Sequence, residues 1–410
     1  MVPITSNVLE SLRQRSHFGF LIVCSIAVPI GMSVWSSLIN NYAVEQIGFT
    51  GLENGIMQSL REVPGFLAFT AVFILLVCRE QTFVIVFLAV FGLGITLTGF
   101  FPTVYGLYFT VVLMSIGFHY LETGRQSLAL QWLPKGDAPR LLGKLISIGA
   151  MASFITYGLL WVILELTSID YYLVYLIGGG AVLVCALVLK AHFPKIESEV
   201  VQRKQIILRS RYWLYYALTF FSGARRQIYV AFAGFLLVEK FGYSVENMAL
   251  LLLINHVVNY LFAERMGAWI GRVSERTALT VEYIGLIGVF VSYAFVESAL
   301  LAGGLYVIDH FFFVLAIAIK TYFQKIADPA DIASTVSVSF TINHMAAVVI
   351  PALLGIAWLT SHSIVFLIGA AFAFCSLVLA RFVPRNPTQG HETLLSPRIG
   401  PPEVLGEVTR

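Results

Sequence analysis

Charge is scarce in this sequence: 12% of its 410 residues are Asp, Glu, Lys or Arg, where a soluble globular chain carries about 25%. Two or three soluble domains would fit the length, but each needs a polar skin that this composition cannot supply. The net charge of +3 is small and its basic residues are dispersed, so no nucleic-acid partner is expected. Cysteine is scarce as well, and Cys24, Cys78, Cys185 and Cys375 lie in apolar runs or at their edges, which argues against a disulfide framework or a zinc cluster. Enzyme signatures are missing: there is no G-x-S-x-G elbow, no H-E-x-x-H helix and no phosphate-cradling G-x-x-x-x-G-K-[ST] loop. Neither an enzyme, nor a cofactor site, nor ATP-driven transport by this chain alone is expected.

What is plentiful is apolar, at 58% of positions. A helix crosses the hydrocarbon with about 20 apolar residues, and inside it every backbone amide must be satisfied internally. Cut at its polar and Pro/Gly breaks, the chain yields twelve runs, 17–43, 54–77, 82–101, 104–130, 141–164, 171–193, 212–238, 247–271, 277–296, 299–320, 332–360 and 363–383. They are numbered helices 1 to 12. The first is longer than the apolar region of a signal peptide and has no small-x-small site before its polar exit, so it is read as a retained span.

Lys and Arg in loops stay on the cytoplasmic side. On one side stand Arg13, Arg15, Arg79, Lys135, Arg140, Lys144, Lys190, Lys195, Arg203, Lys204, Arg209, Arg211, Arg272, Arg276, Lys320, Lys325, Arg381, Arg385, Arg398 and Arg410; Lys240 stands alone on the other. Twenty against one supports the helix count and predicts cytoplasmic termini in a multi-pass protein of the cell (inner) membrane. The domain reading is a cytoplasmic N-terminus at 1–16, a six-helix bundle at 17–193, a cytoplasmic loop at 194–211, a second bundle at 212–383 and a disordered cytoplasmic tail at 384–410.

The halves resemble each other. Helix 1 exits through Val44-Glu45-Gln46-Ile47-Gly48-Phe49-Thr50-Gly51-Leu52-Glu53-Asn54, and helix 7 through Val238-Glu239-Lys240-Phe241-Gly242-Tyr243-Ser244-Val245-Glu246-Asn247. With one gap, five positions are identical and four more are close substitutions, at an offset of 194 and then 193 residues. The second offset superposes Arg79 on Arg272, as expected of an internal duplication. Between helices 8 and 9 the chain reads Gly267-Ala-Trp-Ile-Gly271-Arg272-Val-Ser274-Glu275-Arg276. This is similar to the G-x-x-x-D-R-x-G-R-R signature of the major facilitator superfamily, which the twelve spans, the two halves and the central loop also resemble over roughly 17–383. Gly267, Arg272 and Arg276 match, while Gly271, Ser274 and Glu275 replace the Asp, the second Gly and a basic residue. In the first half only Arg79 survives. The resemblance implies two pseudo-symmetric all-α bundles around a central cavity lined by helices 1, 4, 7 and 10, and a gating role for Gly267, Arg272, Arg276 and Arg79.

Five basic residues fall within spans, where an ionised side chain costs several kcal/mol unless it meets a partner or a wet cavity. Helix 4 carries His119, Glu122 and Arg125 at i, i+3 and i+6, one face on which Glu122 can pair with either neighbour. Helix 7 carries Arg225 and Arg226 after Ser222-Gly223-Ala224, small residues that admit another backbone or a ligand. Adjacent residues diverge by about 100°, so the two arginines cannot face one point. Helix 10 carries Asp309 and His310; helix 2 carries Arg61 and Glu62 before Pro64-Gly65; helix 8 carries Asn255, His256 and Asn259; helix 11 carries Asn343 and His344. Arg265, beside Glu264 near the end of helix 8, is read as snorkelling.

Arg61, Arg125, Arg225 and Arg226 outnumber Glu62, Glu122 and Asp309, and surplus guanidinium favours a carboxylate or phosphate. The expected function is proton-coupled secondary transport of a small organic anion by alternating access, by a chain working as a monomer. Substrate contacts are expected from those four arginines with Asn255, His256, Asn343 and His344, and proton coupling from Glu122, then Asp309, Glu62, His119 and His310. Proton-driven efflux of drug-like amphipaths is the alternative, although helix 5 (Ile146 to Gly158) lacks the Pro of the antiporter signature. A non-transporting sensor and a metal carrier stay open, the latter with no spacing that fixes a ligand set.

Overall fold

The computed structural model describes residues 4–49, 51–167, 169–193, 200–243 and 245–395. Among them the regular elements are helices, and twelve segments run back and forth. In the first half they are Ile4–Tyr42 with the π turn Ala43–Ile47 (helix 1), Gly51–Phe66 continued through 74 (helix 2), Glu80–Thr98, Val104–Trp132, Ala138–Leu166 and Tyr171–His192. In the second half they are Trp213–Gln227 continued through 239 (helix 7), Val245–Val273, Glu275–Phe295, Ala299–Phe313 continued through 326 (helix 10), Ile332–Thr360 and His362–Arg381. Ten are long and apolar enough to cross a membrane. The two that fall short, helices 2 and 7, carry the paired charges Arg61-Glu62 and Arg225-Arg226, and both are interrupted. Pro64 breaks the ladder of helix 2, which tightens to a 3₁₀ turn at Leu67–Thr70, and helix 7 widens to a π turn at Ile228–Ala233.

The twelve spans match the sequence expectation to a few residues, with one exception: helix 10 ends at Ile326 rather than 320. The first span, Ser16–Ile47, starts where expected, and its helix extends back to Ile4. The likeness of the two helix exits extends to their hydrogen bonds. Phe49 N–H donates to Ala43 O at 2.9 Å and Gly48 N–H to Val44 O at 3.2 Å; Tyr243 N–H donates to Leu237 O at 3.0 Å and Gly242 N–H to Val238 O at 3.1 Å. Each of these atoms has its counterpart 194 residues on, and the pivots Gly48 and Gly242 stand at φ 78° and 66°, the left-handed conformation this helix stop requires.

The halves meet at the end that carries the basic loops, called here the basic end. Helices 5 and 8 cross so closely that a Cβ on Gly143 would lie 2.2 Å from Ala263 O, and one on Gly267 2.1 Å from Pro139 O. Ser147 Oγ reaches Tyr260 O at 2.7 Å, and Arg140 pairs with Glu264 at 3.1 Å. Gln324 of helix 10 donates to Leu130 O and Leu133 O of helix 4 at 2.7 Å each, and Phe69 N–H of helix 2 donates to Thr341 of helix 11 at 3.0 Å.

The connection between the halves is described from residue 200 onward; Lys195 lies outside the described residues. Arg203 and Arg209 both hydrogen-bond to the buried Asp331, and Arg203 also reaches Asp328 at 2.7 Å. Residues 384–395 are not disordered, contrary to the reading of the tail. Gln389 donates to Ala327 O at 2.5 Å, Tyr322 to Glu392 O at 2.7 Å, and Leu394 N–H to Phe382 O at 2.9 Å. Hydrogen bonds to helix 10 and to the end of helix 12 hold the segment. Residues 396–410 lie outside the described residues.

Candidate functional site

Between the halves lies a cavity of about 580 Å³, within the range that holds a small solute. Its walls come from helices 1, 2, 4, 7, 10 and 11. Of the residues expected at a site, Arg61, Glu62, His119, Glu122, Arg226, His310, Asn343 and His344 line it. A second chamber of about 340 Å³ shares Glu122 and Lys320 with the first and adds Arg125 and His256.

Two ion pairs stand in these walls. Arg125 binds Glu122 through two parallel hydrogen bonds of 2.8 and 2.6 Å, as the shared helix face predicts, and reaches Ser25 at 3.5 Å. Arg61 donates to Glu62 Oε1 from two nitrogens at 3.1 and 2.9 Å. Below Pro64, the Arg61 carbonyl accepts a hydrogen bond from Ser115 of helix 4, the polar partner a proline-disturbed helix needs.

Arg226 and Lys320 differ from these arginines: among the described residues neither has an ion-pair partner, and both face the cavity. Lys320 was not expected there. Its charge at the edge of an apolar run resembles a membrane-end anchor, yet helix 10 continues for six residues beyond it. Tyr322, Phe323 and Ile326, apolar and buried, were the signal that the span had not ended.

Three expected contacts are displaced from the cavity. Arg225 is 2% exposed and pairs with Glu282 of helix 9 at 3.4 Å, its guanidinium 4.4 Å from the Tyr283 ring centroid. It does not line the cavity, because its direction on helix 7 points into the second half. Glu282 was missed as a lone acid in an apolar run. Asn255 is also buried, and donates to Tyr229 at 3.1 Å. Tyr229 lines the cavity, so Asn255 holds a wall residue and does not itself line the cavity. Asp309 is fully buried, with neither oxygen hydrogen-bonded among the described residues. Its neighbour His310 accepts from Asn259 Nδ2 at 2.9 Å and faces Tyr229 at 3.5 Å.

The small residues of helix 7 admit a backbone: a Cβ on Gly223 would lie 2.6 Å from Asn343 O on helix 11. At the basic end, Gly267 is the crossing point of helices 5 and 8. Arg272 and Arg79 are exposed there and Arg276 is half-buried. The substituted positions of the motif have their own geometry. Glu275, where the signature has a basic residue, is buried and pairs with Lys325 of helix 10 at 2.6 Å. Ser274, where it has Gly, stands at φ 116° and caps helix 9 by accepting from Thr277 N–H at 3.3 Å.

A family model described as Major Facilitator Superfamily matches residues 21–351. The chain belongs to the major facilitator superfamily. It is thus a multi-pass integral membrane protein of a transporter family. No curated protein sequence matches it. Its structure is similar to that of the superfamily transporter FucP in the outward conformation, with a TM-score of 0.72 at 15% identity, over 90% of this chain and 99% of that one. A variant of the E. coli fucose:proton symporter FucP gives 0.69 at 16% identity, over 89% and 98%. The human organic anion transporter MFSD10 (TETRAN) gives 0.64 at 11% identity, over 92% and 100%.

Proposed function

We propose that this superfamily member is a proton-coupled secondary carrier of a small organic anion. The observation that carries the reading is the pair Arg226 and Lys320, cations of helices 7 and 10 that face the cavity without an ion pair among the described residues. Arg61 and Arg125 are neutralised by Glu62 and Glu122. The walls therefore keep two positive charges in surplus, and a carboxylate or phosphate seated between them satisfies both. Solved members of the fold are named for a sugar and for organic anions, so the choice rests on cavity charge and not on likeness.

The same geometry supplies a coupling device. Glu122 is locked bidentate to Arg125 at the boundary of the two chambers, with Lys320 beside it in both. An anion that draws Arg125 or Lys320 to itself weakens the hold on the Glu122 carboxylate, which then takes a proton more readily. Substrate and proton are linked in this way without touching. The positive loops support a cytoplasmic basic end. With the halves joined at that end, the reading is an outward-facing state of a monomer in the cell membrane, both termini inside.

Glu122→Gln in proteoliposomes tests the coupling. Uptake driven by an imposed pH gradient is expected to be lost while counterflow is kept; pH-driven uptake at the parent rate removes Glu122 from this role.

A further inference from the structure

Apart from Arg226 and Lys320, three metal-ligating side chains converge in the cavity. Glu62 of helix 2, His119 of helix 4 and His344 of helix 11 each offer a ligand atom within 4.8 Å of the other two. Zinc bonds of about 2.0–2.1 Å set tetrahedral ligand atoms roughly 3.4 Å apart, so side-chain movements on the order of an ångström close the set.

The histidines are already turned as ligands. His119 Nδ1 lies 2.9 Å from the Ser115 carbonyl, and His344 Nδ1 lies 2.8 Å from the Phe340 carbonyl. With each Nδ1–H donated to a carbonyl, each Nε2 keeps its lone pair, the tautomer that metal-bound histidines hold through such outer-shell bonds. The rings stand 81° apart with centroids 4.8 Å from each other, and His344 is braced on Phe340 at 4.9 Å. Gly65, one turn beyond Glu62, clears the space: a Cβ there would lie 2.4 Å from His344 Cδ2 and 2.8 Å from His119 Cδ2. Arg61 takes Oε1 of Glu62, which leaves Oε2 for an ion.

We infer that Glu62, His119 and His344 form a binding site for one divalent ion of the zinc class. Two imidazoles and a carboxylate with a fourth position open to the cavity are a zinc donor set, and imidazole is a poor ligand for Mg²⁺ or Ca²⁺. Arg61 and Arg226 nearby oppose a cation, so binding is weaker than at a closed four-ligand site. Two ligands belong to the first half and one to the second. A bound ion thus ties helices 2 and 4 to helix 11 and holds the halves in this arrangement, acting as a brake on the conformational cycle rather than as cargo.

The test reads metal binding directly and does not depend on the anion reading. Zn²⁺ is titrated calorimetrically into the purified full-length protein, and Co²⁺ binding is followed by visible absorption. One ion per chain is expected, with tetrahedral Co²⁺ bands and a rise in thermal midpoint. His119→Ala and His344→Ala are each expected to weaken binding by more than the roughly 10–100-fold that an outer-shell change costs. Gly65→Ala should weaken it too, and His192→Ala, exposed at the end of helix 6, should not. His344→Gln keeps the volume and serves if His344→Ala does not fold. Absence of Zn²⁺ binding by the parent protein, or equal affinity in the folded histidine variants, overturns the inference.

Discussion

Arg225 and Arg226 are neighbours in sequence with opposite surroundings, since a step of about 100° round helix 7 sends one into the second half and the other into the cavity. Removing one partner of a buried pair costs about 3–5 kcal/mol, because the charge left behind has no water to turn to. Arg225→Ala is therefore expected to lower the thermal midpoint and the yield of folded protein, and Arg225→Met with Glu282→Leu to recover much of the loss. Arg226→Ala is expected to leave the midpoint near the parent value and weaken substrate by about 10–100-fold, the equivalent of one charge-assisted bond of about 1.5–3 kcal/mol. Thermal melts beside transport KM separate the two; a large affinity loss in a stable Arg225→Ala contradicts the assignment. Ser274 is a residue-scale case of the opposite sign. A side chain at φ 116° is strained by about 1–3 kcal/mol, while Gly in place of a capping Ser loses only a few tenths. Ser274→Gly should therefore raise the midpoint, and a lowered midpoint would refute the strain. Charges were legible from sequence as outliers in an apolar background, but their partners were not. Glu282 for Arg225 and Lys325 for Glu275 come from other helices, and no local spacing records such pairs.

At the scale of elements, hydrocarbon thickness and backbone satisfaction leave little freedom, so helix number and most boundaries could be read from apolar runs alone. What could not be read was internal irregularity and docking by hydrogen bonds. The 3₁₀ turn of helix 2 follows a visible Pro64, but the π turn of helix 7 has no such marker, and 384–395 is held by polar contacts that hydropathy does not count. The seam of helices 5 and 8 depends on Gly267, whose absent side chain lets Pro139 O approach. Gly267→Ala is expected to part the helices at the basic end and slow transport while substrate binding persists; an unchanged transport rate would contradict it. Outside the membrane, burial alone would push the Asp328 carboxyl up, but the Arg203 guanidinium at 2.7 Å and the Ala330 amide at 3.0 Å hold it below the ordinary aspartate value. A depressed folded value gives stability that is present above the unfolded aspartate value of about 4 and is lost as pH falls through the folded one. Asp328→Asn should therefore lower the thermal midpoint at neutral pH and converge on the parent in strong acid. A deficit that stays constant with pH would contradict the clamp.

The whole molecule is two six-helix halves of like design, and their helix stops at Gly48 and Gly242 match down to individual hydrogen bonds. Divergence between the halves is where function enters. Arg226 and Lys320 come from the second half, while Arg61-Glu62 and Glu122-Arg125 come from the first, so the surplus charge appears where the halves face each other. Closure at the basic end by helices 4, 5, 8 and 10 leaves that charge in a cavity between them, the arrangement in which a rocking motion could expose it to either side. The central claim is that the cavity selects for negative charge. Counterflow in proteoliposomes, with matched panels of radiolabelled anionic, cationic and neutral solutes, tests it most directly. The expected result is exchange confined to one class of small carboxylates or phosphates and weakened in both Arg226→Ala and Lys320→Ala; exchange of neutral or cationic solutes that is indifferent to both substitutions would contradict it.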